Sequence, residues 1–148
     1  MKKLVNILKF CLPVVIYIAC SLIAFLLWNL FNYGAAPIIS TSIILLVVGS
    51  ILTGFFTIGK TGKKGMFVAM AAAVIATILW IIAYTTNTSY FAFAATALSS
   101  YLFNIHSCLP FEIQEYGLYI GYVISFIAPI LLILLGRFIR VKIYKNKA

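Results

Sequence analysis

The side chains in this sequence with the most chemical reach stand close together: His106, Cys108, Glu112 and Glu115. Imidazole, thiolate and carboxylate are donor types that hold Zn²⁺. Their spacing follows no standard zinc pattern, however. Glu112 and Glu115 also suit the first turn leading into a helix, where negative charge meets the positive end of the dipole. The four are weak metal candidates, and no metal or other cofactor is expected. A second pattern, Gly54-Phe55-Phe56-Thr57-Ile58-Gly59-Lys60-Thr61, satisfies the phosphate-loop formula G-x-x-x-x-G-K-[ST]. That chemistry needs a loop between a strand and a helix, and an Asp to help hold Mg²⁺. Here the preceding residues read as an apolar helix and the chain contains no Asp, so the match is accidental. Cys11, Cys20 and Cys108 fit no redox-pair spacing. The residues thus predict a protein that is not an enzyme.

The composition explains why reactive side chains are so scarce. Of 148 residues, 65% are apolar and 9% charged. Average soluble proteins have roughly 45–50% and 25%. Such a chain cannot cover a water-facing surface with polar groups, which excludes a soluble enzyme and a cytosolic nucleic-acid binder. The net charge of +9 is therefore read first as membrane topology.

Neither Asp, Glu, Lys nor Arg occurs between Lys9 and Lys60, between Lys64 and Glu112, or between Glu115 and Arg137. A membrane-spanning helix needs about 20 apolar residues to cross roughly 30 Å of hydrocarbon. The first run holds two such spans, divided by the turn formers Asn32-Tyr33-Gly34-Ala35-Ala36-Pro37. The pattern predicts an all-α membrane protein: a single integral domain, 1–148, built as a four-transmembrane-helix bundle. Its spans fall at about 10–31, 37–58, 66–84 and 117–136. An outer loop occupies about 85–116, and a basic tail 137–148. Within that loop the stretch Tyr90–Asn104 is too short to cross and suits a short interfacial or re-entrant helix between helices three and four.

The cations give the direction of threading. Lys2, Lys3 and Lys9 precede the first span; Lys60, Lys63 and Lys64 join the second to the third; Arg137, Arg140, Lys142, Lys145 and Lys147 follow the fourth. Four crossings put all 11 basic residues on one face and both Glu on the other. The positive-inside rule then places both termini in the cytoplasm, in a plasma membrane of bacterial type. The apolar run after Lys3 continues past any cleavage-like site, so the first helix reads as a permanent anchor. Trp28, Phe31, Tyr33, Trp80, Tyr84, Tyr90, Tyr101, Tyr116 and Tyr119 fall at the outer boundary, where amphipathic rings anchor.

Lipid tails are as apolar as leucine, so helices associate through small residues and close backbone approach. Gly117, Gly121 and Ser125 form one such stripe, Ser50 and Gly54 a second, and Ala69 and Ala73 a third. Pro129 predicts a bend in the fourth helix. Lys60, Lys63, Lys64, Arg137, Arg140 and Lys142 are expected to touch anionic headgroups, with 59–65 as a flexible turn and the tail prolonging helix four. No span carries an ionisable side chain, each of which costs roughly 3 kcal/mol or more in a bilayer, so proton-coupled transport is not expected. The leading expectation is a non-catalytic accessory, assembly, immunity or regulatory subunit working through helix contacts. Its partners would be membrane lipids and a membrane protein or further copies of itself, not nucleic acid. A small oligomeric channel or transporter for an uncharged solute is the alternative, resting on the hydroxyls of helix two and on Pro129. A metal-dependent activity of the outer loop is a third.

Overall fold

The computed structural model describes residues 2–30, 36–86 and 114–145, and all but the short connection at 56–58 lie in four α-helices. In chain order they are α1 (Lys2–Leu30), α2 (Ala36–Phe55), α3 (Gly59–Thr86) and α4 (Gln114–Lys145). At about 1.5 Å per residue, the 20 residues of α2 make a rod of about 30 Å, and the other helices are longer. Helix α2 packs on both α1 and α4, and α3 packs on α1 and less extensively on α4. The consecutive pair α2 and α3 touch only lightly, and among the described residues the backbones of α1 and α4 do not come close.

Among the described residues, two helices are long and apolar enough to cross a membrane: Lys2–Leu27, with mean hydropathy 2.6, and Gly59–Leu79, with 1.5. Only 22% of the first and 39% of the second is buried within the chain, whereas the core helix of a soluble protein is mostly buried. The flanks are apolar on every helix, with Leu4, Ile44, Phe67 and Leu131 each more than half exposed.

Several element boundaries differ from those the charge pattern suggests. Helix α1 begins at Lys2 and not near Phe10, so Pro13 lies well inside it and is buried. Proline lacks the N–H that would pair with the carbonyl of Lys9. Helix α2 stops at Phe55 and not at Ile58. Residues 59–65 are not a flexible turn; they form the first turns of α3. The reversal takes only Phe56, Thr57 and Ile58. The Thr57 N–H donates to the Gly54 carbonyl (3.2 Å) and the Gly62 N–H to the Ile58 carbonyl (3.1 Å). Gly59 makes the corner possible with φ of 65°, in the left-handed region that side chains disfavour. At the other end, α4 starts at Gln114 and runs unbroken through the basic segment to Lys145, with Pro129 inside it and buried. The interfacial helix expected over Tyr90–Asn104 lies outside the described residues. So do Phe31, Tyr33 and the side chains of the other boundary aromatics.

The contacts between helices depend on missing side chains. A Cβ on Gly54 would fall on the carbonyl oxygen of Ile133, and one on Gly136 would fall on that of Ile51. Helices α2 and α4 therefore meet backbone to backbone, each offering a glycine to the other. On α1, the Phe10 carbonyl occupies the place of a Gly65 side chain, and Cys20 stands 2.5 Å from where a Gly49 Cβ would be. Around these crossings Tyr17, Met66, Ala69, Ala73 and Ile133 form one buried cluster, and Ala24 and Leu46 a second. Replacing Gly54 or Gly136 by Leu is expected to destabilise by about 3 kcal/mol or more, the upper end of overpacking costs, because the obstruction is backbone and cannot turn aside. Melting in mild detergent, with Ala71→Leu on the exposed face of α3 as control, checks this. Equal melting of variants and control would contradict the crossing.

Candidate functional site

The chain's cations reach one end of the bundle by three separate routes. Lys2, Lys3 and Lys9 open α1; Lys60, Lys63 and Lys64 open α3; Arg137, Arg140, Lys142 and Lys145 close α4. Packing registers these segments together. Gly65 lies on Phe10, a Gly62 Cβ would stand 3.4 Å from the Lys9 carbonyl, and Gly54 lies against the Arg137 N–H. The shared end follows from backbone contacts and not from any attraction among the charges.

Between the α2–α3 corner and the last turns of α4 lies an open cleft of about 450 Å³. Thr57, Gly59, Lys63, Arg137, Arg140 and Tyr144 line it. Arg140 is held from two sides. Its guanidinium donates a 2.6 Å hydrogen bond to the Phe55 carbonyl, one of the acceptors left over where α2 ends. The same group lies 5.8 Å from the centre of the Phe55 ring and 5.1 Å from that of Tyr144, within cation–π range. Phe55 is steadied in turn by edge-on contact with Phe56, ring centres 5.7 Å apart. The residue that ends α2 thus fixes the charge near the end of α4. A smaller recess of about 290 Å³ sits at the start of α1, lined by Lys2, Val5, Asn6 and Lys9.

The hydroxyls of the lower bundle are occupied locally. Thr53 donates to the Gly49 carbonyl (2.8 Å), Thr57 to that of Thr53 (3.2 Å) and Thr77 to that of Ala73 (3.0 Å). All three threonines are buried. This back-bonding satisfies each hydroxyl on a carbonyl four residues earlier in its own segment.

Of the residues singled out in the sequence, the structure brings Lys63, Arg137 and Arg140 to one cleft. Lys60, Lys64 and Lys142 are exposed and do not line it. Ser50, Gly54, Ala69 and Ala73 are buried between helices, and Pro129 is buried in α4. Gly117 and Gly121 lie in the first half of α4 with Ser125 after them. Their surroundings, like the side chain of Glu115, are outside the description, and His106, Cys108 and Glu112 precede the described part of α4 altogether. The phosphate-loop formula spreads over the end of α2, the corner and the start of α3. Its first glycine is packed into the α4 backbone and is not in a loop. Four participants carry little sequence signal. The Phe55 acceptor is a backbone carbonyl, which any residue supplies. Gly136 was readable only as a small residue next to a basic segment, Gly65 only as a loop glycine, and Tyr144 only as part of the tail.

No family model, curated protein or solved structure matches this chain.

Replacing Arg140 by Lys keeps the charge but loses the planar fork that spans the Phe55 carbonyl and two rings. The expected loss is about 1–2 kcal/mol of stability, close to that of Arg140→Met. High salt should leave the loss in place, because the acceptor is a neutral carbonyl. A detergent melt of both variants at low and high ionic strength reads this directly; full stability of the Lys variant would contradict it.

Proposed function

We propose that this chain is a multi-pass protein of the plasma membrane, crossing four times with both termini in the cytoplasm. In this reading it acts without catalysis, through helix contacts, as an accessory, assembly, immunity or regulatory subunit of a membrane complex. The threading is supported by apolar flanks on every helix and by three basic segments that gather at one end, as the positive-inside rule requires of a cytoplasmic face. Helix α1 buries Tyr17 and Ala24 in the bundle, which supports its retention as an anchor. Lys60, Lys63, Lys64, Arg137, Arg140 and Lys142 then face anionic headgroups, each adding about 1 kcal/mol of attraction.

The observation that carries the subunit reading is the use this chain makes of small residues. At Gly54 and Gly136 they bring helices into backbone contact. Gly117-x-x-x-Gly121-x-x-x-Ser125 repeats the device further up α4. Small residues at this spacing suit the close approach of a second membrane helix, from a partner or from another copy of this chain. A solute pathway rests on the hydroxyls of the second span, but Thr53 and, just past the end of α2, Thr57 donate to α2 carbonyls, which favours a packing role.

Single cysteines at Lys60 and Lys142, in a chain with Cys11, Cys20 and Cys108 replaced, are expected to react with an impermeant reagent only in opened cells. Reaction in intact cells would overturn the threading. For the subunit reading, crosslinked purification in mild detergent should recover a stoichiometric membrane partner, with Gly121→Leu reducing recovery severalfold while melting stays unchanged. Unchanged recovery in that variant would count against the stripe as an interface, and solute flux through liposomes holding this protein alone would favour the pore.

A further inference from the structure

The cleft beneath Arg140 differs from a merely basic surface, and we propose that it is a discrete binding site for a phosphate group, filled by the headgroup of an acidic phospholipid. Lys63 arrives from α3, Arg137 and Arg140 from α4, and all three line one cavity. Among the described residues, no carboxylate lines it. Glu115 stands 22 residues before Arg137 on the same helix, about 33 Å away at 1.5 Å per residue. Three cations converge with no counter-charge among the described residues, and the backbone crossings of Gly54 and Gly65 keep them there. Holding like charges together is unfavourable unless an anion joins them.

The site also has shape. Arg140 is immobilised by the Phe55 carbonyl and by two rings, so its fork meets an anion with little further ordering. One of its five N–H donors goes to that carbonyl, and the geometry of the guanidinium suits two phosphate oxygens with those that remain. Gly59 opens α3 at the cleft wall, and open space surrounds the position its Cβ would take. The first turn of α3 therefore adds the partial positive charge of a helix N-terminus to that of the cations. Tyr144 and Val141 supply an apolar wall, and exposed Phe138 and Leu134 continue up α4 from there. A lipid satisfies both features, with its phosphate among the cations and its acyl chains along α4. A free phosphorylated solute satisfies only the first.

The proposal rests on the membrane reading above only for the source of the phosphate. It narrows the broad headgroup contact to three residues and sets Lys60, Lys64 and Lys142 apart as charges outside the cleft. The test is native mass spectrometry of the full chain in mild detergent. Phosphatidic acid, phosphatidylglycerol and phosphatidylcholine are titrated separately, and inorganic phosphate and pyrophosphate are added as competitors. One acidic lipid is expected to remain bound, with phosphatidylcholine excluded. Retention should fall about tenfold in Lys63→Gln and in Arg137→Gln, as befits loss of one charge-assisted contact. Lys142→Gln, which removes the same charge from the same helix outside the cleft, should retain lipid as the parent does. Arg137→Lys should recover part of the loss, which separates charge from folding. Competition by pyrophosphate with equal affinity would keep the phosphate site but overturn the lipid as its occupant. Equal loss in Lys142→Gln, or equal retention of phosphatidylcholine, would overturn the site itself and leave the threading and subunit readings as they stand.

Discussion

Backbone-to-backbone approach at glycine is the constraint from which the rest of this molecule follows. Apolar side chains cover the helices outside as well as between them, so burial alone says little about which faces should meet. What distinguishes the inner faces is that Gly54, Gly136 and Gly65 leave room for a neighbour's carbonyl where a Cβ would stand. Such contacts bring Cα–H groups against peptide oxygens and increase dispersion contact along the crossing. They also fix axial position, because a helix displaced by one residue would set a side chain against the neighbouring backbone. The convergence of the basic segments, the cleft and the capping of α2 by Arg140 all inherit that register.

Polar groups in the bundle follow the same economy. Threonine hydroxyls turn back to carbonyls four residues earlier, so they ask nothing of neighbouring helices and pack as small side chains. Prolines are the harder case. Pro13 removes the donor that the Lys9 carbonyl would have used, in the turn that α3 approaches with Gly62 and Gly65. A glycine-faced helix can come close enough to shield that carbonyl with Cα–H. The break in one helix and the glycines of the next are thus parts of one contact.

The helical class and the four helices among the described residues were legible from charge-free runs, which are too long and too apolar for strands. The helix ends were less legible. Lys2–Lys9 and Arg137–Lys145 are helical because polar residues extend an established helix readily, so a change in charge does not mark where a helix stops. Residues 59–65 misled for a more specific reason. Glycine and lysine together look like a loop, but Gly59 turns the chain while Gly62 and Gly65 make room for α1. Ser50, Gly54, Ala69 and Ala73 were visible as small residues at helical spacing. The cleft was only half visible: its cations could be counted, but the pairing of Arg140 with Phe55 depends on a carbonyl and on a crossing between residues 85 positions apart.

Helix α2 touches α1 at Gly49 and α4 at Gly54, five residues apart on one rod, and among the described residues the backbones of α1 and α4 do not come close. Rotation of α4 about its long axis must therefore reach α1 through its middle neighbours, α2 foremost. Because α2 continues into α3 through only three residues, the same rotation also pulls on the start of α3. A force applied to the outer flank of α4 is delivered to both remaining helices at the cationic end, making α2 the axle of the assembly.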